Sequence, residues 1–315
     1  MNKNMKIMFM GTPEFACISL RKLVEDGFTV TSVVTTEDKP RGRGHKMTPP
    51  DVFLCAKELG IEHIYQPINL KKDNFEQILI NENPDVIAVV AYGKLLPSYV
   101  INYPKFGCIN VHGSLLPAYR GAAPMQWALI DGLEKTGVTT MYMDTGLDTG
   151  DMLLKAELVL SQEDNFGTVH DKLAHLGAKL LVETLERLSE NNLQRIPQGE
   201  TTTHYAHMIT KEMTVINWYN TAESIMNLIR GLTPFPKASC VYDGKNMKIL
   251  KAIHINGSTN AKCGTVISVN SDSFDVACGE GTILRIFTIQ TEGKKPMDVS
   301  EYLKGNTISI NIRLN

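Results

Sequence analysis

The chain has 315 residues, of which 43% are hydrophobic and 21% are charged, and its formal net charge is −2. This length favours about two domains, and no apolar run approaches the roughly 18 residues that a membrane-spanning helix needs. The apolar run near the N-terminus is also too short for a signal peptide, so the composition predicts an ordinary globular protein of the cytoplasm.

The cysteines support the same compartment. The sequence has six of them, and no two form a Cys-x-x-Cys pair. Zinc and redox motifs of that type are therefore absent, and we expect free thiols in a reducing cytoplasm. The cysteines are Cys17, Cys55, Cys108, Cys240, Cys263 and Cys278.

Strands and helices are predicted to alternate over residues 1–189. The first strand ends at Gly11-Thr12-Pro13, where proline favours the start of a helix. There is no Gly-x-Gly-x-x-Gly and no Gly-Lys-Ser/Thr loop, so neither a dinucleotide site nor an ATP site of those types is expected. The pattern predicts a Rossmann-like α/β domain with a mostly parallel sheet, with strands at 5–10, 29–34, 62–65, 85–91 and 107–113.

One part of this sheet should be antiparallel. The runs at 137–143 and 152–160 are separated by a loop too short for a helical crossover, so we expect them to form a hairpin, and we expect its turn to lie beside the carboxyl end of the strand at 107–113. A long amphipathic helix at 165–189 then closes the domain, and the polar residues 190–206 are predicted to form a linker.

Residues 207–315 have a different texture. One helix is followed by short strands separated by turns, which predicts a small β-barrel of the oligonucleotide-binding (OB) type. Residues 205–315 carry 12 Lys and Arg against 9 Asp and Glu, whereas residues 1–204 carry 20 against 25. The mildly basic balance permits a polyanionic partner, although surface solvation explains it equally well.

The stretch at 107–124 carries the first candidate chemistry. Asn110 and His112 are two residues apart, so an extended strand places both side chains on one face. An amide can bind a developing oxyanion, and an imidazole can donate a hydrogen bond or move a proton. The alternative is a strand whose polar end residues only cap a turn.

Three loops are further candidates. Tyr92–Pro97 follows the most apolar strand, at the end where α/β sheets bind ligands. Residues 37–50 alternate basic residues with Gly and Pro, which favours neither helix nor strand; they would form either a binding loop or a solvated one. The loop at 144–151 has three aspartates, of which local turn chemistry explains at least two.

These motifs resemble the 10-formyltetrahydrofolate-dependent formyltransferases. Asn110-Val-His112-Gly-Ser-Leu-Leu-Pro, with Leu147-Asp148-Thr-Gly-Asp151 placing an aspartate 36 positions after His112, is similar to the site of that family. Further segments spread over nearly the whole chain narrow the resemblance to the methionyl-tRNA formyltransferases: Gly11-Thr-Pro-Glu-Phe15, Arg41-Gly-Arg-Gly44, Val90-Ala-Tyr-Gly93, Tyr119-Arg-Gly-Ala-Ala-Pro124 and Gly293-Lys-Lys-Pro-Met297.

The resemblance implies 10-formyltetrahydrofolate as the formyl donor and the α-amine of methionyl initiator tRNA as the acceptor. It assigns catalysis to Asn110, His112 and Asp148 and implies no metal, no membrane and a monomer. The folate-binding positions it implies are Tyr92, Gly93, Leu95, Leu96, Pro97, Ser114, Leu115, Leu116, Pro117, Asp144 and Thr145. The tRNA-binding positions it implies are Lys39, Arg41, Arg43, His45, Lys46, Lys294 and Lys295.

The physical chemistry agrees with these roles. Asn110 and a protonated His112 can donate hydrogen bonds to the oxygen of a tetrahedral intermediate. Asp148 can keep His112 protonated or accept the proton of the attacking amine, directly or through water, and the residues alone leave that choice open. Two other functions are also open: formyl transfer to an amino-sugar nucleotide, and an inactive RNA-binding protein built on the same scaffold.

Overall fold

The computed structural model describes residues 5–41, 44 and 46–315, which form two compact units. The first unit contains the described residues up to Gly121 together with Thr136–Leu158 and His170–Tyr205. The second contains Ala122–Lys135, Val159–Val169 and Ala206–Asn315. No helix in the described part of the chain is long and apolar enough to cross a membrane.

The strands and helices have the following bounds. The strands are β1 (Ile7–Gly11), β2 (Val30–Val34), β3 (Lys39–Arg41), β4 (Lys46–Thr48), β5 (Ile64–Tyr65), β6 (Val86–Val90), β7 (Cys108–His112), β8 (Lys135–Tyr142), β9 (Met152–Val159), β10 (Ala238–Tyr242), β11 (Lys245–Ile255), β12 (Val266–Val269), β13 (Phe274–Ala277), β14 (Ile283–Thr291) and β15 (Met297–Asp298). The α-helices are α1 (Glu14–Glu25), α2 (Asp51–Glu58), α3 (Phe75–Glu82), α4 (Ser98–Ile101), α5 (Pro124–Ile130), α6 (Phe166–Ser189), α7 (Ala222–Leu232) and α8 (Val299–Leu303).

The main sheet has the order β5-β2-β1-β6-β7-β8-β9. Pairing is parallel from β5 to β7 and antiparallel between β7 and β8. The predicted mostly parallel sheet with an antiparallel element is therefore confirmed. Strands β1 and β6 lie at its centre, and every one of their residues is buried, as expected for parallel strands covered on both faces.

The first turn of the sheet depends on Gly11. A Cβ at this position would lie 2.7 Å from the Cβ of Ala16 and 2.9 Å from the carbonyl oxygen of Val90. Glycine therefore lets β1 approach both α1 and β6. Helix α1 begins at Glu14, with Pro13 in the N-cap position.

The basic segment forms more regular structure than its sequence indicates. Residues 37–50 favoured neither helix nor strand, yet β3 and β4 pair as a short antiparallel ribbon. Arg41 lies opposite Lys46, and Pro40 lies opposite Met47. The expectation of an irregular loop is therefore wrong at these residues, because a three-residue ribbon tolerates a proline that a central strand would exclude.

The second unit is built on an antiparallel sheet of order β10-β11-β14-β13-β12, with β15 paired to β14. Helix α7 contributes Ile225, Ile229 and Leu232 to a core that also contains Trp218. Strand β15 and helix α8 were not predicted. The antiparallel strands agree with the predicted class, while closure into an OB-like barrel stays a prediction.

Two segments from the N-terminal part of the chain group with the second unit. Arg230 Nε donates to the carbonyl oxygen of Asp164 at 2.7 Å, and Gly231 lies against Ile130 and the carbonyl oxygen of Gln126. The predicted boundaries, 1–189, 190–206 and 207–315, remain a prediction.

Candidate active site

His112 ends β7 and is 6% exposed. Its Nε2 lies 3.0 Å from the carbonyl oxygen of Tyr119. A carbonyl oxygen can only accept, so Nε2 must carry a proton and donate. The neutral ring is therefore the Nε2–H tautomer, and Nδ1 is the nitrogen left for chemistry.

Asp148 lies at that second nitrogen. Its Oδ2 is 3.7 Å from His112 Nδ1, and the same oxygen accepts a hydrogen bond from the Gly121 amide at 2.9 Å. Asp148 has a φ of 55°, in the left-handed region that aspartate enters more readily than most residues. A protonated Nδ1 would face this carboxylate, and a neutral Nδ1 would present a lone pair to a proton donor.

The path by which Asp148 reaches His112 differs from the predicted one. The hairpin was expected to turn beside the carboxyl end of β7. Because β8 runs antiparallel to β7, Tyr142 pairs with Ile109 and the turn leaves the sheet near the other end of β7. The loop at 144–151 then folds back, so the predicted proximity of the two residues is present by another route.

Asn110 lies on β7, on the same strand face as His112. It pairs with Val89 on one side and Met141 on the other, and it is only partly buried. Among the residues that the structure describes, no hydrogen bond to its side chain is found. The amide is therefore available to a bound molecule.

The loop after β6 divides into buried and exposed side chains. Leu95 is 78% exposed, whereas Tyr92 and Leu96 are buried. The Tyr92 hydroxyl has no hydrogen-bond partner in the described part of the molecule, and burial, with a smaller effect of Glu37, raises its pKa. Gly93 has a φ of 83°, a conformation that favours glycine.

Lys94 ties this loop to its neighbours. Its Nζ lies 2.6 Å from Glu37 Oε2 and donates to the carbonyl oxygens of Pro67 and Ile68 at 2.8 and 3.0 Å. The hydrogen bond from Lys94 lowers the pKa of the Glu37 carboxyl. The loop that carries Leu95 is therefore held at its base by a charged contact.

The other predicted folate positions differ in what they can offer. Ser114 and Leu116 are buried, and the Ser114 hydroxyl donates to the Ala118 carbonyl at 2.7 Å. Leu115 and Pro117 are partly buried. In the aspartate loop Asp144 and Thr145 are exposed, and Asp144 Oδ1 accepts from the Thr149 hydroxyl at 2.8 Å.

The predicted tRNA positions are exposed wherever the structure describes them. Lys39 and Lys46 lie on the β3–β4 ribbon of the first unit, and Lys294 and Lys295 lie in the turn between β14 and β15 of the second. Arg43, His45 and the side chain of Arg41 lie outside the described residues.

Sequence reasoning missed the residues that hold the site. Tyr119 belongs to the Tyr119–Pro124 motif without a role of its own, and Gln198 and Thr203 fall within the predicted linker. The Tyr119 amide donates to Thr203 Oγ1 at 2.8 Å, and Gln198 donates to the Asp148 carbonyl at 3.0 Å. A polar segment without periodicity gives no sequence signal for such contacts.

Within the described ranges no three His, Cys, Asp or Glu side chains are grouped as metal ligands, and independence from metal stays a prediction.

Comparison with known proteins covers nearly the whole chain. The family model described as formyl transferase matches residues 5–185, and that described as formyl transferase, C-terminal domain, matches residues 208–307. A methionyl-tRNA formyltransferase from Caldanaerobacter subterraneus subsp. tengcongensis is 49% identical over 305 residues, which are 96% of this chain and 98% of that protein. One from Clostridium novyi is 48% identical over 97% of this chain and 98% of that protein.

Solved structures show the same fold at lower identity. WlaRD, a sugar 3N-formyl transferase solved with dTDP and 5-N-formyl-THF, has a TM-score of 0.67 and 18% identity over 92% of this chain and 99% of that chain. HypX from Aquifex aeolicus, solved with tetrahydrofolic acid, has a TM-score of 0.64 and 16% identity over 95% of this chain, which spans 47% of HypX. The two family models and the relatives near 49% identity show that the chain belongs to the formyltransferase family and, within it, to the methionyl-tRNA formyltransferases.

Proposed function

We propose that this protein transfers the formyl group of 10-formyltetrahydrofolate to the α-amino group of methionyl initiator tRNA. The observation that carries the proposal is the arrangement at the end of β7. There the buried His112 faces Asp148 with one ring nitrogen, and the neighbouring Asn110 amide is available to a substrate. The names of the closely similar relatives support tRNA as the acceptor.

In the reaction one carbon–nitrogen bond forms and another breaks. One proton leaves the attacking amine, and one proton is added to the leaving nitrogen. The methionine amine attacks the formyl carbon, and a tetrahedral intermediate with a negatively charged oxygen forms. The bond from carbon to N10 of the folate then breaks as the new amide forms. The attacking nitrogen loses a proton and N10 gains one, so the products are formylmethionyl-tRNA and tetrahydrofolate.

The side chains divide this work. The Asn110 amide donates a hydrogen bond to the developing oxyanion. His112 uses Nδ1, because Nε2 is already donated to the Tyr119 carbonyl. When Nδ1 carries a proton, it donates to the oxyanion or to N10, and the Asp148 carboxylate accepts the amine proton.

The substrates are assigned to different surfaces. The exposed Leu95 and the partly buried Leu115 and Pro117 offer apolar surface to the folate. The basic residues of the 39–46 segment and of the 293–297 turn offer positive charge to tRNA phosphates. We further propose that the protein is cytoplasmic and monomeric and that it uses no metal.

The test is incubation of the purified protein with 10-formyltetrahydrofolate and methionyl initiator tRNA, with formylmethionine scored after hydrolysis of the ester. A nucleotide-linked amino sugar serves as the competing acceptor in a parallel reaction. Formylation of the tRNA and not of the sugar is the expected result. Formylation of the sugar alone would overturn the proposal in favour of the alternative function.

A further inference from the structure

Gln198 contacts both loops that surround His112. Its Nε2 donates to the carbonyl oxygens of Asp148 and Gly150 at 3.0 and 2.7 Å, and its Oε1 accepts from Arg120 Nε at 3.0 Å. These partners fix the orientation of the amide. Two carbonyls need a donor and a guanidinium needs an acceptor, so the reversed amide would lose all three bonds.

The two loops carry the partners of the two ring nitrogens of His112. Asp148 faces Nδ1, and Tyr119, the residue before Arg120, supplies the carbonyl that accepts from Nε2. Thr203 adds a second tie to the same loop, because its hydroxyl oxygen accepts from the Tyr119 amide. The segment from Gln198 to Thr203 thus holds both sides of the imidazole.

The aspartate loop needs such a tie. Asp148 has positive φ, and a Cβ at Gly150 would lie 1.9 Å from the Tyr142 carbonyl oxygen, so the backbone passes very close to β8. A non-glycine residue in the left-handed region persists where surrounding contacts determine its conformation. Gln198 is itself partly buried, while its neighbours Pro197 and Gly199 are exposed.

We propose that Gln198 is a positioning residue, which sets the distance between Asp148 and His112 by tying the aspartate loop to the Tyr119–Gly121 loop. The inference rests on the proposed function for its kinetic consequence. Gln198 does not touch the reacting atoms in this role; it acts through Asp148. A mere structural tie would change the folded fraction, whereas a positioning role changes the turnover of the folded enzyme.

The kinetic test uses Gln198→Met and Gln198→Glu. The first keeps the volume and removes the donors, and the second keeps an acceptor for Arg120 but turns a carboxylate towards two carbonyl oxygens. We expect kcat to fall about 10- to 100-fold in both, with KM for either substrate nearly unchanged, because a misplacement of about 1 Å costs up to that factor. Gln77→Glu, on the exposed face of α3, makes the same charge change away from the site and should leave kcat unchanged.

A second measurement needs no activity. The NMR signals of the His112 ring should shift on Asp148→Asn in the parent, and the shift should be much smaller in the Gln198→Met background. Full-size coupling in that background, or kcat of both variants within twofold of the parent, would overturn the positioning role. If the parent fails to formylate methionyl-tRNA, the proposed function fails, and the NMR comparison alone decides the role of Gln198.

Discussion

The site around His112 and the basic segment at 39–46 belong to the same unit but differ in burial and in the number of contacts that hold them. The His112 ring is buried, Asp148 is fixed by the Gly121 amide, and both adjoining loops are tied by Gln198. The β3–β4 ribbon is three residue pairs long, and its lysines are exposed. The difference separates pre-organised chemistry from a charged surface, so variants in the two regions should change different kinetic constants.

Removal of the imidazole should have the largest effect. We expect His112→Ala to lower kcat by about 10²- to 10⁴-fold, the usual range for a positioned acid–base group. His63 provides a matched control, because its Nδ1 also faces a carboxylate, Glu82 Oε1 at 2.7 Å, but the His63 ring itself is exposed. His63→Ala should keep kcat, and an equal loss in both variants would contradict the assignment.

Asn110 should follow, through oxyanion stabilisation alone. We expect Asn110→Ala to lower kcat by about 10²- to 10³-fold. The free energy of unfolding in urea should change little, because the side-chain amide of Asn110 makes no hydrogen bond to the described residues. Asn110→Asp keeps the shape and removes the donor, so it should be at least as slow. An active Asn110→Asp variant would show that the amide does not donate to the oxyanion.

The basic segment should behave differently. Charge reversal at both Arg41 and Arg43 should raise KM for tRNA about tenfold or more at low salt and leave kcat nearly unchanged. Each lost phosphate contact should also reduce the slope of log affinity against log salt by about 0.7–0.9.

Two double variants sharpen that result. Reversal at Lys294 and Lys295 tests the turn of the second unit, and reversal at Lys71 and Lys72, also exposed, is the matched control in the first. If the tRNA affinity fell equally on reversal at Lys71 and Lys72, the effect would come from the net charge of the protein. The assignment of tRNA binding to the 39–46 segment would then be wrong.

The sequence predicted the parts of the molecule that follow from local pattern. Buried apolar runs placed the strands of the main sheet, and the two-residue spacing placed Asn110 and His112 on one strand face. The motif resemblance joined Asp148 to them. Each of these features is visible within a few residues or within a family motif.

What the sequence could not predict depends on tertiary contacts. The pairing of Lys39–Arg41 with Lys46–Thr48 joins two polar segments that have no strand pattern of their own. The return of the aspartate loop towards His112 depends on contacts from Gly121 and Gln198, which lie 27 and 50 residues away in the chain. Hydrogen bonds from a polar segment to distant backbone carbonyls have no periodic signature.

The smallest effect is expected at Lys94. This residue holds the loop that carries Leu95, but it takes no part in the reaction. Lys94→Met removes the contact with Glu37 and the bonds to two carbonyls. A partly exposed ion pair is worth up to about 1 kcal/mol, so KM for the formyl donor should rise about twofold to fivefold at unchanged kcat. The matched control is Lys179→Met, at an exposed position on α6.

The pH dependence of the same pair gives an independent measurement. Lys94 holds the pKa of Glu37 below its ordinary value, so the pair stabilises the folded protein above that value and stops doing so as pH falls through the lowered pKa. In urea unfolding, the free energy of unfolding of the parent should therefore exceed that of Lys94→Met by a constant margin near neutral pH. This margin should shrink in acid. A margin independent of pH would show that Lys94 holds the loop through its hydrogen bonds to the Pro67 and Ile68 carbonyls and not through the Glu37 carboxylate.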